Sequence, residues 1–452
     1  MYIVLIGFAL LFILIILLYI DYILGRKKHV ATSTRKEFPL RNCELRLFIH
    51  GTELFEDLFQ EIKKATKHIH VLFYIARNDD FSKKFYSLLE QKAREGVEVR
   101  LLLDWVGSHK LSKQIIAELE AANVQFAFAH VPKFPYLFYK ANVRNHRKIT
   151  VIDGVTGYLG GFNVGKEYVD QDPKLSPWRD YHMRLRGDIV HDLQTQFIAD
   201  WQKATKSEIK VLSRNDYFPY YRAGRSTGLV SQMQAGMLAT EFGEDFAFND
   251  IETTSESGTN HQNHMSSPEK HDRRPTKIQA VASEGIHMED LLSHRIHQAK
   301  KSIFIGTPYF IPSKRLLFDL LVAAKRGVHI KILVPQMADH ILVQEASYYY
   351  FRQLLKAGVE VYQFLNGFYH AKALLFDDEI FDIGTTNFDQ RSIFLNYEIN
   401  CFITDPTSIA EIKSVIDKDL DKSKRLQLAD LENVSMMTKV KEWVAKPIAR
   451  FL

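Results

Sequence analysis

This chain repeats itself, and the repeat limits what it can fold into. Residues 53–75, ELFEDLFQEIKKATKHIHVLFYI, carry Leu54, Leu58 and Ile62 at helical spacing and then change to a β-branched and aromatic run. Residues 287–310, HMEDLLSHRIHQAKKSIFIGTPYF, make the same change. AREGVEVRLLLD (93–104) and AKRGVHIKILVP (324–335) each end a helix at a glycine, Gly96 or Gly327, and begin a strand. LEAANVQFAFAH (119–130) pairs with LLKAGVEVYQFL (354–365). A fourth pair closes each half: HRKITVIDGVTGYLGGFN from His146 to Asn163, and HAKALLFDDEIFDIGTTN from His370 to Asn387. Alternating helices and strands predict a sheet covered by helices. The expected fold is therefore α/β, with two pseudo-symmetric α/β/α units whose mixed sheets are mainly parallel. A length of 452 residues, too many for one ordinary core, fits this duplication.

The N-terminus breaks the globular pattern. Tyr2 to Ile20 is an unbroken run of 19 apolar residues, about the roughly 20 that a helix needs to span a bilayer. Arg26, Lys27, Lys28, Arg35 and Lys36 follow the run, whereas a cleaved secretory signal carries its positive charge ahead of it. The expected reading is one transmembrane helix in the cell membrane with the catalytic body on the cytoplasmic side. The expected divisions are an anchor at 1–24, a first unit at 41–215, an inter-unit segment at 216–275, a second unit at 276–425 and a basic amphipathic tail at 426–452. Residues 253–275 are polar and aperiodic, and read as a flexible linker. Its His261, His264 and His271 are solvated rather than a metal tract. Two stretches suit either a membrane interface or packing on the body. One is 130–145, where Phe134, Tyr136, Leu137, Phe138 and Tyr139 lie among Lys133, Lys140 and Arg144; the other is the tail, with Val440, Trp443 and Val444 beside Lys439, Lys441 and Lys446.

The two copies of the last block share lysine at +2, aspartate at +7, glycine at +14 and asparagine at +17 without a gap. The candidate catalytic set is His146, Lys148 and Asp153 with His370, Lys372 and Asp377. Residues two apart on a strand share a face, so each histidine sits with its lysine. Seven residues of strand span roughly 23 Å, which takes the aspartate away from the histidine. Asp153 precedes Gly154 in a hairpin signal, so both aspartates are expected to fix a turn. The returning chain then brings Asn163 and Asn387, with the backbone at Gly161 and Thr385, beside the histidines. Lysine, asparagine and backbone N–H groups cradle a phosphate. A neutral histidine there attacks phosphorus or moves a proton. Asp180 and Glu398 are the candidates for orienting the histidines, because an imidazole's partner sets its tautomer. No metal is expected, since the lysines repel a divalent ion, and no cofactor either. The two cysteines, Cys43 and Cys401, exclude a disulfide framework and a cysteine-built metal site.

The paired motifs, with WRDYH, TPYFIPS and GFYHAKALLFDDEIFDIGTTNFDQRSIFLNYEIN, resemble the phospholipase D superfamily and, more closely, bacterial cardiolipin synthases. The resemblance covers nearly all of the chain after the anchor. It implies metal-independent transfer of a phosphatidyl group from one phosphatidylglycerol to another, releasing glycerol, through a covalent phosphohistidine. It also implies His146 as nucleophile and His370 as acid, although the sequence itself does not rank them. Lys148, Lys372, Asn163 and Asn387 match the family's phosphate-binding positions. There are two departures: many bacterial members carry two N-terminal hydrophobic segments where this chain has one, and the linker is longer than the resemblance needs. The alternatives are a phospholipase D producing phosphatidic acid, a membrane-tethered phosphodiesterase or nuclease, and a non-catalytic scaffold. A net charge of +5 does not supply the long basic groove of a nuclease, so no nucleic acid partner is expected. The expected partners are phosphatidylglycerol and the membrane.

Overall fold

The computed structural model describes residues 2–207 and 276–449. The expected inter-unit segment and polar linker lie outside the described residues. The first half contributes β1 (Arg35–Glu37), β2 (Arg41–Phe48), β3 (His68–Phe73), β4 (Glu98–Asp104), β5 (Gln125–Ala129), β6 (Ile149–Ile152), β7 (Thr156–Gly160), β8 (Trp178–Arg179) and β9 (His182–Gly187). The second contributes β10 (Thr276–Glu284), β11 (Ser302–Gly306), β12 (His329–Pro335), β13 (Glu360–Phe364), β14 (Phe368–Tyr369), β15 (Ala373–Phe376), β16 (Ile380–Gly384), β17 (Tyr397–Ile403) and β18 (Ser423–Arg425).

One continuous sheet runs β18-β13-β12-β11-β15-β16-β17-β10-β2-β9-β7-β6-β3-β4-β5. It reads alike from either end, and the halves meet where β10 pairs antiparallel with β2. The helices Ile189–Thr205 and Pro406–Asp421 cover one face through Leu193, Phe197, Ile409 and Ile412. The other face carries a separate helical cluster for each half. Gly96 and Gly327 have φ of +90° and +87°, the left-handed conformation expected where a helix closes ahead of a strand.

The sheet is mixed, as expected, but it is not mainly parallel. Parallel pairing in it is confined to β3-β4-β5 and β11-β12-β13. The remaining pairs are antiparallel, because each motif strand returns through a tight hairpin instead of crossing over behind a helix.

These hairpins also correct the aspartates' place in the candidate catalytic set. Asp153 and Gly154 have φ of +53° and +65°, and Asp377 and Asp378 have +56° and +57°, the two left-handed positions of a type I′ turn. The Asp153 carboxylate accepts from the backbone N–H groups of Thr66, Lys67 and His68 at 2.9, 2.8 and 2.9 Å. Asp377 does the same for Lys300, Lys301 and Ser302 at 2.8, 2.7 and 2.9 Å. Both aspartates sit at the far end of the strand from the histidine and tie the hairpin to the start of β3 or β11. Asp153→Asn should cost about 1–3 kcal/mol of stability and change turnover by less than about twofold. Denaturant midpoints measured beside initial rates check this, and a fully folded but inactive variant would contradict it.

The N-terminal helix Tyr2–Thr32 is long and apolar enough to cross a membrane. Beyond the apolar run it docks on the 130–145 stretch. Tyr22 packs against Phe138 and Tyr139, and Asp21 Oδ2 accepts from Tyr139 N–H at 2.8 Å. His29 lies 2.7 Å from the Tyr139 hydroxyl. Gly25 is required here, because a Cβ would stand 2.5 Å from that of Tyr139. The 130–145 stretch thus packs on the stalk of this helix and on Leu395 and Tyr397 of the second half. Phe134 nevertheless stays 82% exposed. The tail forms a helix, Met436–Ile448, which packs through Ala445 and pairs Glu442 with Arg352 at 2.6 Å, while Trp443 faces outward.

Candidate active site

The motif histidines lie just ahead of their strands, in extended segments clasped by the opposite half. His146 N–H donates to the Tyr397 carbonyl at 2.9 Å, and Tyr397 N–H donates to the Arg144 carbonyl at 2.8 Å. His370 N–H donates to the Arg179 carbonyl at 2.7 Å, beside the parallel pairing of β14 with β8. Buried ion pairs flank these crossings. Arg147 reaches Asp200 at 2.5 Å while donating to the carbonyls of Glu398 and Ser283. Arg179 reaches Asp419 at 2.7 Å, and Tyr181 donates to the same carboxylate at 2.8 Å. Each crossing pairs its buried charges, although Asp200 Oδ2 is left without a hydrogen-bond partner.

The orienting carboxylates are exchanged between the halves. His146 Nδ1 lies 3.0 Å from Glu398 Oε2, and His370 Nδ1 lies 2.6 Å from Asp180 Oδ2. A carboxylate only accepts, so His146 Nδ1 carries the proton and its Nε2 keeps its lone pair; His370 Nδ1 faces both Asp180 Oδ2 and, at 2.6 Å as well, Lys372 Nζ. Glu398 also accepts from Thr385 Oγ1 at 2.5 Å, Ser392 Oγ at 2.7 Å and Asn396 Nδ2 at 3.4 Å. Asp180 accepts from Tyr181 N–H at 2.7 Å and lies 3.6 Å from Lys372 Nζ. Burial works against both carboxylates. His146 and Lys148 nevertheless hold Glu398 below the usual range, and Lys372 and His370 do so for Asp180.

The lysines share this buried chamber. Lys148 Nζ donates to the His146 carbonyl at 2.6 Å and stands 5.5 Å from the Tyr74 ring centre. Lys372 Nζ donates to the His370 carbonyl and lies against the His370 ring, 2.6 Å from Nδ1 and 3.3 Å from Nε2. Burial brings Lys148 down to about 7 and Lys372 to about 8, with Asp180 and Glu398 opposing the fall in both. Lys148 is lowered further by the charge of Lys372, so the two copies of the motif feel one another across the halves. Burial likewise lowers both histidines, His370 to about 4, and leaves both imidazoles neutral near pH 7. Tyr74 and Tyr309 stand edge-on to His146 and His370, at 5.0 and 6.2 Å between ring centres.

The four residues expected at the substrate turn out to be spent mostly on the protein. Asn163 Oδ1 accepts from Ile75 N–H at 3.1 Å, and its Nδ2 faces the Tyr168 hydroxyl at 3.3 Å. Asn387 bonds Asp389 and leaves its buried Oδ1 without a hydrogen-bond partner. Thr385 offers its carbonyl to His146 Nδ1 at 3.0 Å, besides bonding Glu398, and so helps to position that histidine. Gly161 makes room, since a Cβ there would stand 2.0 Å from Asp180 Oδ1. Ser392 and Asn396 were missed by sequence reasoning. Both fall inside the quoted 367–400 stretch, but no spacing marks them.

Among the described residues, no group of three or more His, Cys, Asp and Glu side chains is placed to hold a metal ion. A cavity of about 900 Å³, lined by Arg295, Lys300, Arg326 and Asp377, opens at the other end of β15 and takes no part in the site.

Two histidines, each backed by a carboxylate and a lysine at the junction of a duplicated α/β unit, define a phospholipase D-like protein. More narrowly, the family model described as "Cardiolipin synthase, PLD-like domain" matches residues 58–201 and 292–420, and the chain belongs to that family. It is 34% identical to the minor cardiolipin synthase ClsB of Bacillus subtilis (strain 168) over 436 residues, covering 96% of each chain. It is 36% identical to the major cardiolipin synthase ClsA of the same organism, covering 89% of this chain and 74% of that one. A phosphatidylserine synthase of Haemophilus influenzae Rd KW20 shares the fold, with a TM-score of 0.62 and 16% identity over 91% of this chain and 95% of that one.

Proposed function

We propose that the chain is a cardiolipin synthase that moves a phosphatidyl group between two phosphatidylglycerol molecules. The observation that carries this reading is the exchanged pair of histidine–carboxylate contacts beside two buried lysines. Nε2 of one histidine attacks phosphorus, and the bond from phosphorus to the headgroup glycerol oxygen breaks. The other histidine gives that oxygen its proton, and glycerol leaves. The same histidine then takes a proton from a hydroxyl of a second phosphatidylglycerol. That oxygen attacks phosphorus, the P–N bond breaks, and cardiolipin is released. Family usage makes His146 the nucleophile and His370 the acid. The acid must carry a proton when it acts, and the phosphodiester's own negative charge raises both imidazoles.

Reconstitution with phosphatidylglycerol and no added metal should yield cardiolipin and glycerol in equal amounts. Phosphatidic acid as the main product would favour hydrolysis instead, and no lipid turnover would refute both readings.

Lys148 and Lys372 serve as the phosphate cradle, and their lowered values give this a pH signature. Above about pH 7 and 8 they lose charge in turn, while a bound anion favours the charged forms. Inorganic phosphate should therefore bind with proton uptake between pH 7 and 9 and weaken at least about tenfold across that range. Calorimetry in buffers of different ionisation heat checks this, and a buffer-independent heat with unchanged affinity would remove the lysines from the cradle.

The apolar helix sits in the membrane with the body on the cytoplasmic side, as the basic residues after it favour. The stalk contacts at Tyr139 seat the exposed Phe134 near the lipid interface. Protease added outside intact spheroplasts should leave the body uncut, and cleavage there would reverse the topology.

A further inference from the structure

The second half holds an acidic group over the site that the transfer chemistry leaves unused. Asp339 lies four residues past the end of β12. Its Oδ2 accepts from the Tyr309 hydroxyl at 2.6 Å, and the Tyr309 ring stands edge-on to His370. Its side chain is 14% exposed, Oδ2 also lies 3.6 Å from His340 Nε2, and Oδ1 is buried without a hydrogen-bond partner. The carboxylate is near enough to act on both His370 and Lys372 by charge, raising each. In the first half the acid that acts on the motif lysine and on Tyr74 is Asp104, which is fully engaged by Arg144 and the backbone N–H groups of Asn145, Val106 and Gly107. Four residues past β4 stands Ser108, whose hydroxyl is spent on the Tyr74 carbonyl and the Ala76 N–H, at 3.1 and 3.0 Å.

A buried acceptor without a donor is costly unless something fills it. A phosphate oxygen cannot, because it is itself an acceptor and is negatively charged. The group required is a donor on the far side of the Tyr309 ring from His370. The terminal hydroxyls of a glycerol headgroup are donors held next to the phosphate. The geometry points to Asp339 as a headgroup subsite, in which Oδ1 accepts a hydroxyl of phosphatidylglycerol while Tyr309 holds the carboxylate in place. This rests on the phosphatidylglycerol reading and adds to it the residue that selects the headgroup. A site built around a substrate hydroxyl discriminates strongly against the analogue that lacks it.

The experiment compares phosphatidylglycerol with phosphatidylethanol, which has the same phosphodiester and no headgroup hydroxyl, in wild type, Asp339→Asn and Asp339→Ala. Release of the headgroup alcohol is followed for each with the same excess of butan-1-ol as phosphatidyl acceptor, because phosphatidylethanol carries no hydroxyl to take the group. The wild type should prefer phosphatidylglycerol. Both variants should lose about 10- to 100-fold in kcat/KM on phosphatidylglycerol and less than about threefold on phosphatidylethanol. The ratio of the two donors within one preparation does not depend on how much of it is folded. Equal losses on both donors, no loss on either, or a wild type that does not distinguish them would overturn the subsite. So would faster wild-type turnover of phosphatidylethanolamine than of phosphatidylglycerol, which would assign the carboxylate to an ammonium. A wild type that leaves phosphatidylglycerol untouched would instead refute the underlying synthase reading.

Discussion

His146→Ala and His370→Ala should each abolish cardiolipin formation, but for different reasons that a second donor separates. Removing a nucleophile deletes the covalent route and costs about 10⁵- to 10⁶-fold. Removing a general acid costs about 10²- to 10⁴-fold, and the loss shrinks when the leaving group needs no proton. With His146 as nucleophile, His146→Ala stays inactive on a phosphatidyl p-nitrophenyl ester. His370→Ala should recover p-nitrophenol release while failing on phosphatidylglycerol. The reverse pattern would exchange the roles, and more than about one hundredth of normal phosphatidylglycerol turnover in either variant would dismiss the two-histidine mechanism. Neither change should unfold the protein. Without His146, Glu398 keeps Thr385, Ser392 and Asn396 as donors, and without His370, Asp180 keeps Tyr181 N–H and Lys372.

The carboxylates offer the sharper test, because their pairing runs against chain order. Asp180 lies in the first half and serves His370, whereas Glu398 lies in the second and serves His146. Replacing such a carboxylate by its amide leaves the shape but admits the wrong tautomer, which costs about 10⁴-fold in a serine protease triad. A loss of about 10²- to 10⁴-fold is expected here for both Asp180→Asn and Glu398→Gln. The kind of loss matters as much as its size. Asp180→Asn should behave as His370→Ala does, sparing release of the p-nitrophenol leaving group, and Glu398→Gln should behave as His146→Ala does. If each variant instead copies the histidine of its own half, the crossed arrangement does not operate in catalysis.

Much of this arrangement is legible in the sequence because it depends on local rules applied twice. The change of hydrophobic period marks each helix and strand, and Gly96 and Gly327 mark the helix ends. Asp153 before Gly154 marks the hairpin, and the distance along the strand removes both aspartates from the histidines. The rest depends on which surfaces meet. Asp180 and Glu398 stand out as candidates, but only the packing of one half on the other decides which imidazole each one touches. Ser392, Asn396 and Tyr309 carry no local signature, since a hydroxyl or amide looks the same in sequence whether it meets water or a buried carboxylate. The sheet's direction was misjudged for a similar reason. Helix–strand alternation yields parallel pairing only in β3-β4-β5 and β11-β12-β13, and the hairpins reverse the chain after that.

The seam between β2 and β10 has a consequence for how the molecule stays whole. Backbone pairing there, together with the Arg179–Asp419 contact and the two exchanged imidazole contacts, joins the halves through residues outside the linking peptide. Two separately made pieces should find each other and assemble a working centre that neither possesses alone.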